Sequence, residues 1–170
     1  IKKFQLAQKE VKLVGEYVGS AGRRPNPDLV KAIKAWPKVN DLKDLQSFLG
    51  TANYARPHAG AAYARVVHPL RALLKPDAQF PPNEEQQKTI QAVKDLMCEQ
   101  HLLAVPDEEA AITAAAAWNA GLPLEGRPYE IGADTSKIAM GGVMGQCDED
   151  NEKLIVLMYW SAPLSTAQSQ

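Results

Sequence analysis

Apolar residues recur at helical spacing through the middle of the chain and at strand-like spacing toward both ends. Over residues 2–20 they alternate loosely, as at Phe4 and Leu6, which predicts two short strands with a turn near Gln8–Glu10. Ser20-Ala21-Gly22 predicts a further turn. The N-terminal segment is therefore expected to be a short strand pair.

Local start and stop signals mark the first two helices. Asn26 is a good N-cap, and Pro27 fits the first helical position. Pro37 predicts the end of this helix, because proline has no N–H to donate. Asn40 is the expected cap of the second helix, and Gly50 is expected near its end.

Two more helices are predicted before residue 100. One covers roughly residues 60–74, with a kink or a late start at Pro69. The other begins with the capping-box pair Asn83 and Gln86. The apolar stripes of the four helices predict a bundle core formed by Leu29, Ile33, Trp36, Leu45, Phe48, Leu49, Leu70, Leu73, Ile90, Val93 and Leu96. If the Trp36 ring is buried, truncation to alanine should cost about 3–5 kcal/mol.

An unusual alanine-rich run, Glu108 to Trp118, follows Pro106. Asp107 is a suitable cap and Gly121 a suitable C-terminal stop, so the run favours a helix, because alanine is the strongest helix former. A flexible insertion remains the alternative.

Strand patterns return in the last third of the chain. Pro128–Asp134 and Ile138–Gln146 predict two strands, and Cys147–Glu152 an acidic hairpin loop. Lys153–Ser161 is continuously apolar, as in strands covered on both faces. The fold class is thus α+β: a strand pair, a helical bundle and an antiparallel meander, which is expected to be an unfinished sheet.

The net charge of −1 conceals an asymmetry. Residues 1–75 hold 14 Lys/Arg and 5 Asp/Glu, a net of +9, whereas residues 76–170 hold 5 and 15, a net of −10. The basic half suggests a nucleic-acid partner, and two solvated surfaces that attract each other are the alternative. Two cysteines exclude a disulfide framework. The first residues contain neither an initiator Met nor a signal-peptide core, which predicts an internal fragment or a processed product, and an intracellular location.

Several motifs follow one another in a fixed order: Glu10–Val18, Arg24–Pro27, Lys31–Pro37, Asp44–Tyr54, His68–Lys75 and Leu103–Asp107. In order and spacing they resemble the end of the palm, the thumb and the following link of gypsy-type LTR-retrotransposon reverse transcriptases. Ala133–Ser136, Gly141–Gln146 and Tyr159–Ser161 resemble the first three strands of that family's ribonuclease H domain. The resemblance implies a four-helix thumb-like bundle and the first antiparallel strands of a ribonuclease H-like sheet.

The resemblance also implies the domain boundaries: palm-like strands over residues 1–25, a thumb-like domain over 26–106, an alanine-rich insertion over 107–126 and an incomplete ribonuclease H-like domain over 127–170. Some positions depart from the family. Ala55–His58 replace a second aromatic and a basic-aromatic run, and Ala162, Pro163 and Gln168 stand where basic residues and a glutamate are usual. These departures leave open a domesticated retroelement piece that acts as a structural or interaction subunit of a larger complex.

Catalysis in this family requires several carboxylates around Mg²⁺, whose preferred ligands are oxygens. By resemblance Asp134 is the first of the four ribonuclease H acids and the one metal ligand present. The polymerase acids belong to the palm, upstream of residue 1. The chain alone is therefore expected to bind no Mg²⁺ and to lack polymerase and ribonuclease H activity.

The resemblance implies that the thumb packs along a primer–template duplex, RNA–DNA or DNA. Candidate contacts to the nucleic-acid backbone are Lys12, Tyr17, Lys31, Lys34, Lys38, Lys43, Arg56, Arg65 and Arg71. Lys12 and Tyr17 flank the stretch that resembles the primer grip. For each lysine, an ordinary exposed charge on a helix is the alternative.

Overall fold

A computed structural model describes residues 8–99, 102–148 and 153–164. The N-terminal part is an antiparallel sheet in the order β1-β2-β3, formed by Glu10–Leu13, Glu16–Gly19 and Gly22–Pro25. The prediction of a strand pair is thus wrong by one strand, because Arg23-Arg24 pairs with β2 instead of only leading out of a turn. Phe4 and Leu6 lie outside the described residues.

The predicted turn near Gln8–Glu10 is also wrong, since β1 already begins at Glu10. The chain reverses instead at Val14 and Gly15, which have positive φ angles of 47° and 77°. Two positive φ angles in a two-residue loop match the right-handed twist of the flanking strands. Local turn geometry, more than the apolar alternation, therefore sets the register, in which Lys12 pairs with Tyr17.

The helices follow the predicted order: α1 Pro27–Lys34, α2 Leu42–Tyr54, α3 Tyr63–Val67, α4 Glu84–Cys98 and α5 Glu108–Asn119. Asn26 caps α1, and the capping box of Asn83 and Gln86 starts α4, as predicted. The predicted cap at Asn40 is wrong. Asp41 caps α2 by accepting the Asp44 N–H at 2.7 Å, while the Asp44 carboxylate accepts the Asn40 N–H at 3.1 Å.

The segment predicted as one helix over residues 60–74 is divided. Only Tyr63–Val67 is α-helical, and His68–Leu74 continues as a 3₁₀ helix. Pro69 lies at the second position of that helix, where its missing N–H costs no hydrogen bond. A separate 3₁₀ turn at Arg56–His58 joins α2 to this segment.

One apolar core joins α1, α2, α3, the 3₁₀ segment and α4. Ile33, Leu45, Phe48, Leu70, Leu73, Ile90 and Val93 are buried in it as predicted, whereas Leu29, Trp36, Leu49 and Leu96 are partly buried at its border. Trp36 lies beyond the last residue of α1 and packs edge-on against Phe48, with ring centroids 5.7 Å apart. Because α4 supplies Ile90 and Val93, residues 1–75 do not contain the whole core.

The second sheet has the order β4-β5-β6, formed by Tyr129–Thr135, Ala139–Cys147 and Leu154–Pro163. In its register Asp134 pairs with Gly141. The continuous apolar run of β6 does not mark a strand covered on both faces within the described residues: β4 is exposed throughout, and Leu157 is buried beside an exposed Met158. The helical unit contacts this sheet through α3 and the Arg56–His58 turn.

The link after α4 joins the two sheets. Leu103 is fully buried and exchanges backbone hydrogen bonds of 2.6 and 2.9 Å with Arg23 of β3. The next residue, Ala104, donates to the carbonyl of Val156 in β6 at 2.8 Å. Backbone hydrogen bonds to both sheets therefore hold Leu103 and Ala104 in place. Within the described ranges no helix has the length and hydropathy needed to cross a membrane.

The alanine-rich run is helical, as predicted. Asp107 accepts the Ala110 N–H at 3.0 Å, and its other carboxylate oxygen pairs with Arg127. The buried Gln146 side chain bonds the backbone of Asp107 at 2.8 and 2.9 Å, which fixes the helix start on β5. Gly121, with a φ of 66°, follows the C-terminal end.

This cap predicts an acid-sensitive helix start. The hydrogen bond from Ala110 and the ion pair with Arg127 hold the pKa of Asp107 below its ordinary value. A carboxyl whose pKa is lower in the folded state stabilises the fold above its unfolded-state pKa, and this contribution disappears as the pH falls through the folded-state pKa. We expect backbone chemical shifts to show the first turn of α5 fraying in that acidic range. Asp107→Asn should weaken the transition, and an unchanged transition would contradict the assignment.

Candidate nucleic-acid interface

The N-terminal hairpin presents the first predicted site residues. Lys12 is exposed on β1 and lies opposite Tyr17 on β2. The Arg24 guanidinium stacks on the Tyr17 ring at 4.6 Å and bonds both carboxylate oxygens of Glu10, at 2.9 and 2.6 Å. The hydrogen bond to Glu10 raises the pKa of Arg24. Arg24 therefore packs on Tyr17 and is neutralised by Glu10. Of the two cations Lys12 and Arg24, Lys12 is the one that faces solvent.

The tip of the hairpin is held by α2. Tyr54 donates its hydroxyl proton to the Val14 carbonyl, and its ring occupies the space that a side chain at position 15 would need. Val14 is 81% exposed and has a positive φ, which is rare for a β-branched residue. Sequence reasoning missed this contact, which joins residues 40 positions apart. The Val14-Gly15 pair was the sequence signal that could have predicted the turn.

Arg56 and Arg71 line one groove between α2 and the segment that follows it. The groove has a volume of about 320 Å³, and Asn53, Tyr63 and Gly50 also line it. Arg56 lies 5.8 Å from the centroid of the Tyr63 ring. Burial raises the pKa of Tyr63 to about 12, so its phenol remains neutral at physiological pH. The Tyr63 ring itself is buried, and the two guanidinium groups of the groove suit contact with phosphate.

The other four predicted lysines lie on α1, on α2 and in the loop between them. Lys31 and Lys34 lie in the last turn of α1, where positive charge also favours the helix dipole. Lys38 lies in the following loop and Lys43 in the first turn of α2. All four are exposed, which suits long-range attraction of a polyanion as well as an ordinary solvated surface.

Arg65 and Asp134 line a different cleft, where α3 meets the second sheet. This cleft is about 230 Å³ in volume, and Ala61, Ser136 and Gly141 also contribute to its wall. The Ser136 hydroxyl is already used, since it donates to the Ala139 carbonyl at 2.9 Å. Arg65 and Asp134 are therefore the charged groups of the cleft.

The donor set around Asp134 does not fit the two metal ions of the ribonuclease H reaction. Within the described ranges no three Asp, Glu, His or Cys residues stand close enough to hold a metal ion. The acidic hairpin does not help: Asp134 pairs with Gly141 near the start of β5, whereas Asp148 follows the end of that strand. Residues 149–152 of that predicted loop lie outside the described residues.

A partly buried polar cluster joins the first sheet to the helical unit. His58 Nε2 lies 3.0 Å from a Glu16 carboxylate oxygen, and Arg23 lies 3.7 Å from the other oxygen. Arg23 also donates to the Leu157 carbonyl at 3.2 Å, which extends the cluster to β6. These residues were not singled out from the sequence, because their partners are distant in the chain.

Sequence comparison finds relatives along almost the whole chain. The Transposon Tf2-3 and Tf2-4 polyproteins of Schizosaccharomyces pombe are each 26% identical over 166 residues, which cover 98% of this chain. The chain spans 11% of the length of these relatives. No protein-family model matches the chain.

Structural comparison finds the same fold in two structures of a foamy viral protease-reverse transcriptase. The one in complex with an RNA/DNA hybrid has a TM-score of 0.72 and 19% identity, and covers 99% of this chain and 20% of that chain. The one in complex with dsDNA has a TM-score of 0.71 and 19% identity, and covers 99% and 31%. The α+β arrangement predicted from the sequence is thereby confirmed. The chain is thus similar in sequence to one part of retrotransposon polyproteins, and similar in fold to one part of a foamy viral protease-reverse transcriptase.

Proposed function

We propose that this chain is the part of a retroelement reverse transcriptase/ribonuclease H that binds the backbone of a primer–template duplex. The groove that contains Arg56 and Arg71 carries the proposal, because it places two guanidinium groups on one surface of the helical unit, with Arg56 beside the buried Tyr63 ring. Phosphate contacts of this kind position a duplex without reading its sequence. The sequence relatives are transposon polyproteins, which supports both this role and an intracellular location.

The division into a palm-like strand segment, a thumb-like unit, an alanine-rich insertion and an incomplete ribonuclease H-like unit belongs to the same proposal. The three-stranded N-terminal sheet, the single helical core and the separate second sheet support it. Asp134 is the candidate metal ligand of the last unit. Mg²⁺ would bind there only with further carboxylates, because the described residues offer no set of three donors.

Duplex binding should be independent of sequence and steeply dependent on salt. Four to six phosphate contacts give a slope of about −4 to −5 in log K against log salt. The test titrates the full chain with a labelled RNA–DNA hybrid in EDTA at several salt concentrations. Arg71→Ala should reduce the slope by about 1. Lys88→Ala on the exposed face of α4 removes the same charge and should change it little.

The same titration also gives the outcomes that would contradict the proposed function. A folded chain that does not bind the hybrid at low salt would overturn the duplex-binding role. A steep slope that Arg71→Ala and Lys88→Ala reduce equally would show that charge alone, and not the groove, attracts the duplex. When Mg²⁺ is added, the hybrid should remain uncleaved, since the acid set is incomplete.

A second candidate is a structural or interaction subunit derived from such an element. The observation in its favour is the apolar surface of α5 and its following loop, where Ile112, Trp118 and Leu122 are more than half exposed. Exposed apolar patches of this kind often mark protein interaction sites. Failure to bind duplex, by a chain shown to be folded, would favour this candidate.

A further inference from the structure

We propose that Arg65 holds a phosphate of a nucleic-acid strand that passes over Asp134. Arg65 then acts in the cleft of Asp134 and not in the groove of Arg56 and Arg71. This inference rests on the proposed duplex-binding function and assigns a second contact point to the duplex. Arg65 comes from α3 of the helical unit, whereas Asp134 comes from β4 of the second sheet. The ligand is the sugar-phosphate backbone.

The first support is the charge arrangement of the cleft. Arg65 and Asp134 line the same cavity, yet no ion pair joins them, and neither side chain has another partner in the described part of the chain. Because the Arg65 guanidinium is not paired with the Asp134 carboxylate, it can bind an external anion such as a phosphate. A phosphate on Arg65 would keep its distance from the Asp134 carboxylate, which repels it.

The second support is the way the residues just before Arg65 are fixed against the sheet. In the first turn of α3 the Ala64 N–H donates to the hydroxyl of Ser161, at 3.3 Å, and Ser161 is fully buried. Two residues before α3, the Ala61 carbonyl lies so close to Gly141 that a Cβ on Gly141 would be 2.6 Å from the oxygen. The backbone that carries Arg65 is therefore held in place before any ligand binds, which lowers the entropic cost of binding.

The third support is separation from the groove of Arg56 and Arg71. Arg65 does not line that groove, although it lies between these two residues in the sequence. A duplex bound along the helical unit would then meet cations at two sites. The second site carries the acid that the family resemblance identifies as catalytic, so Arg65 would act as a positioning residue for the strand near Asp134.

The test measures hybrid binding by the full chain in EDTA, with the variants Arg65→Gln, Asp134→Asn and their combination. Arg65→Gln should reduce the salt slope by about 1. Asp134→Asn should raise affinity about two- to threefold at low salt, because it removes a repulsive charge near the bound phosphate. In the Arg65→Gln background this gain should disappear, since the phosphate is no longer held there.

Lys88→Ala is the matched charge control, and thermal unfolding confirms that each variant is folded. An unchanged slope in Arg65→Gln, or a gain from Asp134→Asn that is equal in both backgrounds, would overturn the assignment of Arg65. If Arg71→Ala still weakens binding in that case, the proposed function stands without the second site. If the folded wild-type chain does not bind at all, both proposals fail.

Discussion

Replacing Phe48 with alanine should lower the free energy of unfolding by about 3–5 kcal/mol, the largest loss expected from a single truncation in this chain. Phe48 lies on α2, is fully buried and touches the edge of Trp36. Its removal leaves a cavity in the core that α1, α2 and α4 share, and the surrounding helices cannot fully collapse into it. Denaturant unfolding followed by far-UV circular dichroism measures the loss.

Two companion variants make this result specific to the core. Leu74→Ala truncates a side chain that is 41% exposed and should cost much less than Phe48→Ala. Trp36→Ala should also cost less than the 3–5 kcal/mol expected for a buried ring, because Trp36 is only partly buried. A loss below about 1 kcal/mol in Phe48→Ala would contradict the placement of the core.

Features set by neighbouring residues were the ones that the sequence allowed us to predict. The capping box of Asn83 and Gln86 and the proline after Asn26 act over three residues or fewer, and both helix starts are where they were predicted. The apolar stripe of α2 placed Leu45 and Phe48 in the core correctly for the same reason. The cap of α2 was predicted one residue too early, at Asn40, because the adjacent Asp41 is equally suited to this position and is the residue that caps the helix.

Features that depend on distant residues could not be derived in this way. The hairpin turn at Val14 requires a positive φ that a β-branched residue rarely adopts, and Tyr54 from α2 contributes to holding it. Arg65 and Asp134 share a cleft only because α3 packs on the second sheet. No local sequence pattern indicates that packing. The binding residues were therefore predicted as one set, whereas the structure divides them between separate surfaces.

The same packing makes Gly141 a sensitive position. Gly141→Ala would place a Cβ 2.6 Å from the backbone oxygen of Ala61, so the segment that leads into α3 must move away from β5. Overpacking of this kind costs about 1–3 kcal/mol. Because backbone is displaced and not a flexible side chain, we expect a value toward the upper end of that range. Denaturant unfolding measures the loss.

Gly50→Ala is the matched control, because it adds the same methyl group where no atom lies within 4 Å. Gly50 lies inside α2, where alanine is favoured over glycine by about 0.5–1 kcal/mol, so this variant should be more stable than the wild type. The two glycine variants are thus expected to change stability in opposite directions. If Gly141→Ala were neutral, α3 would not be fixed against the sheet, and Arg65 would lose the rigid placement beside Asp134 on which its assignment depends.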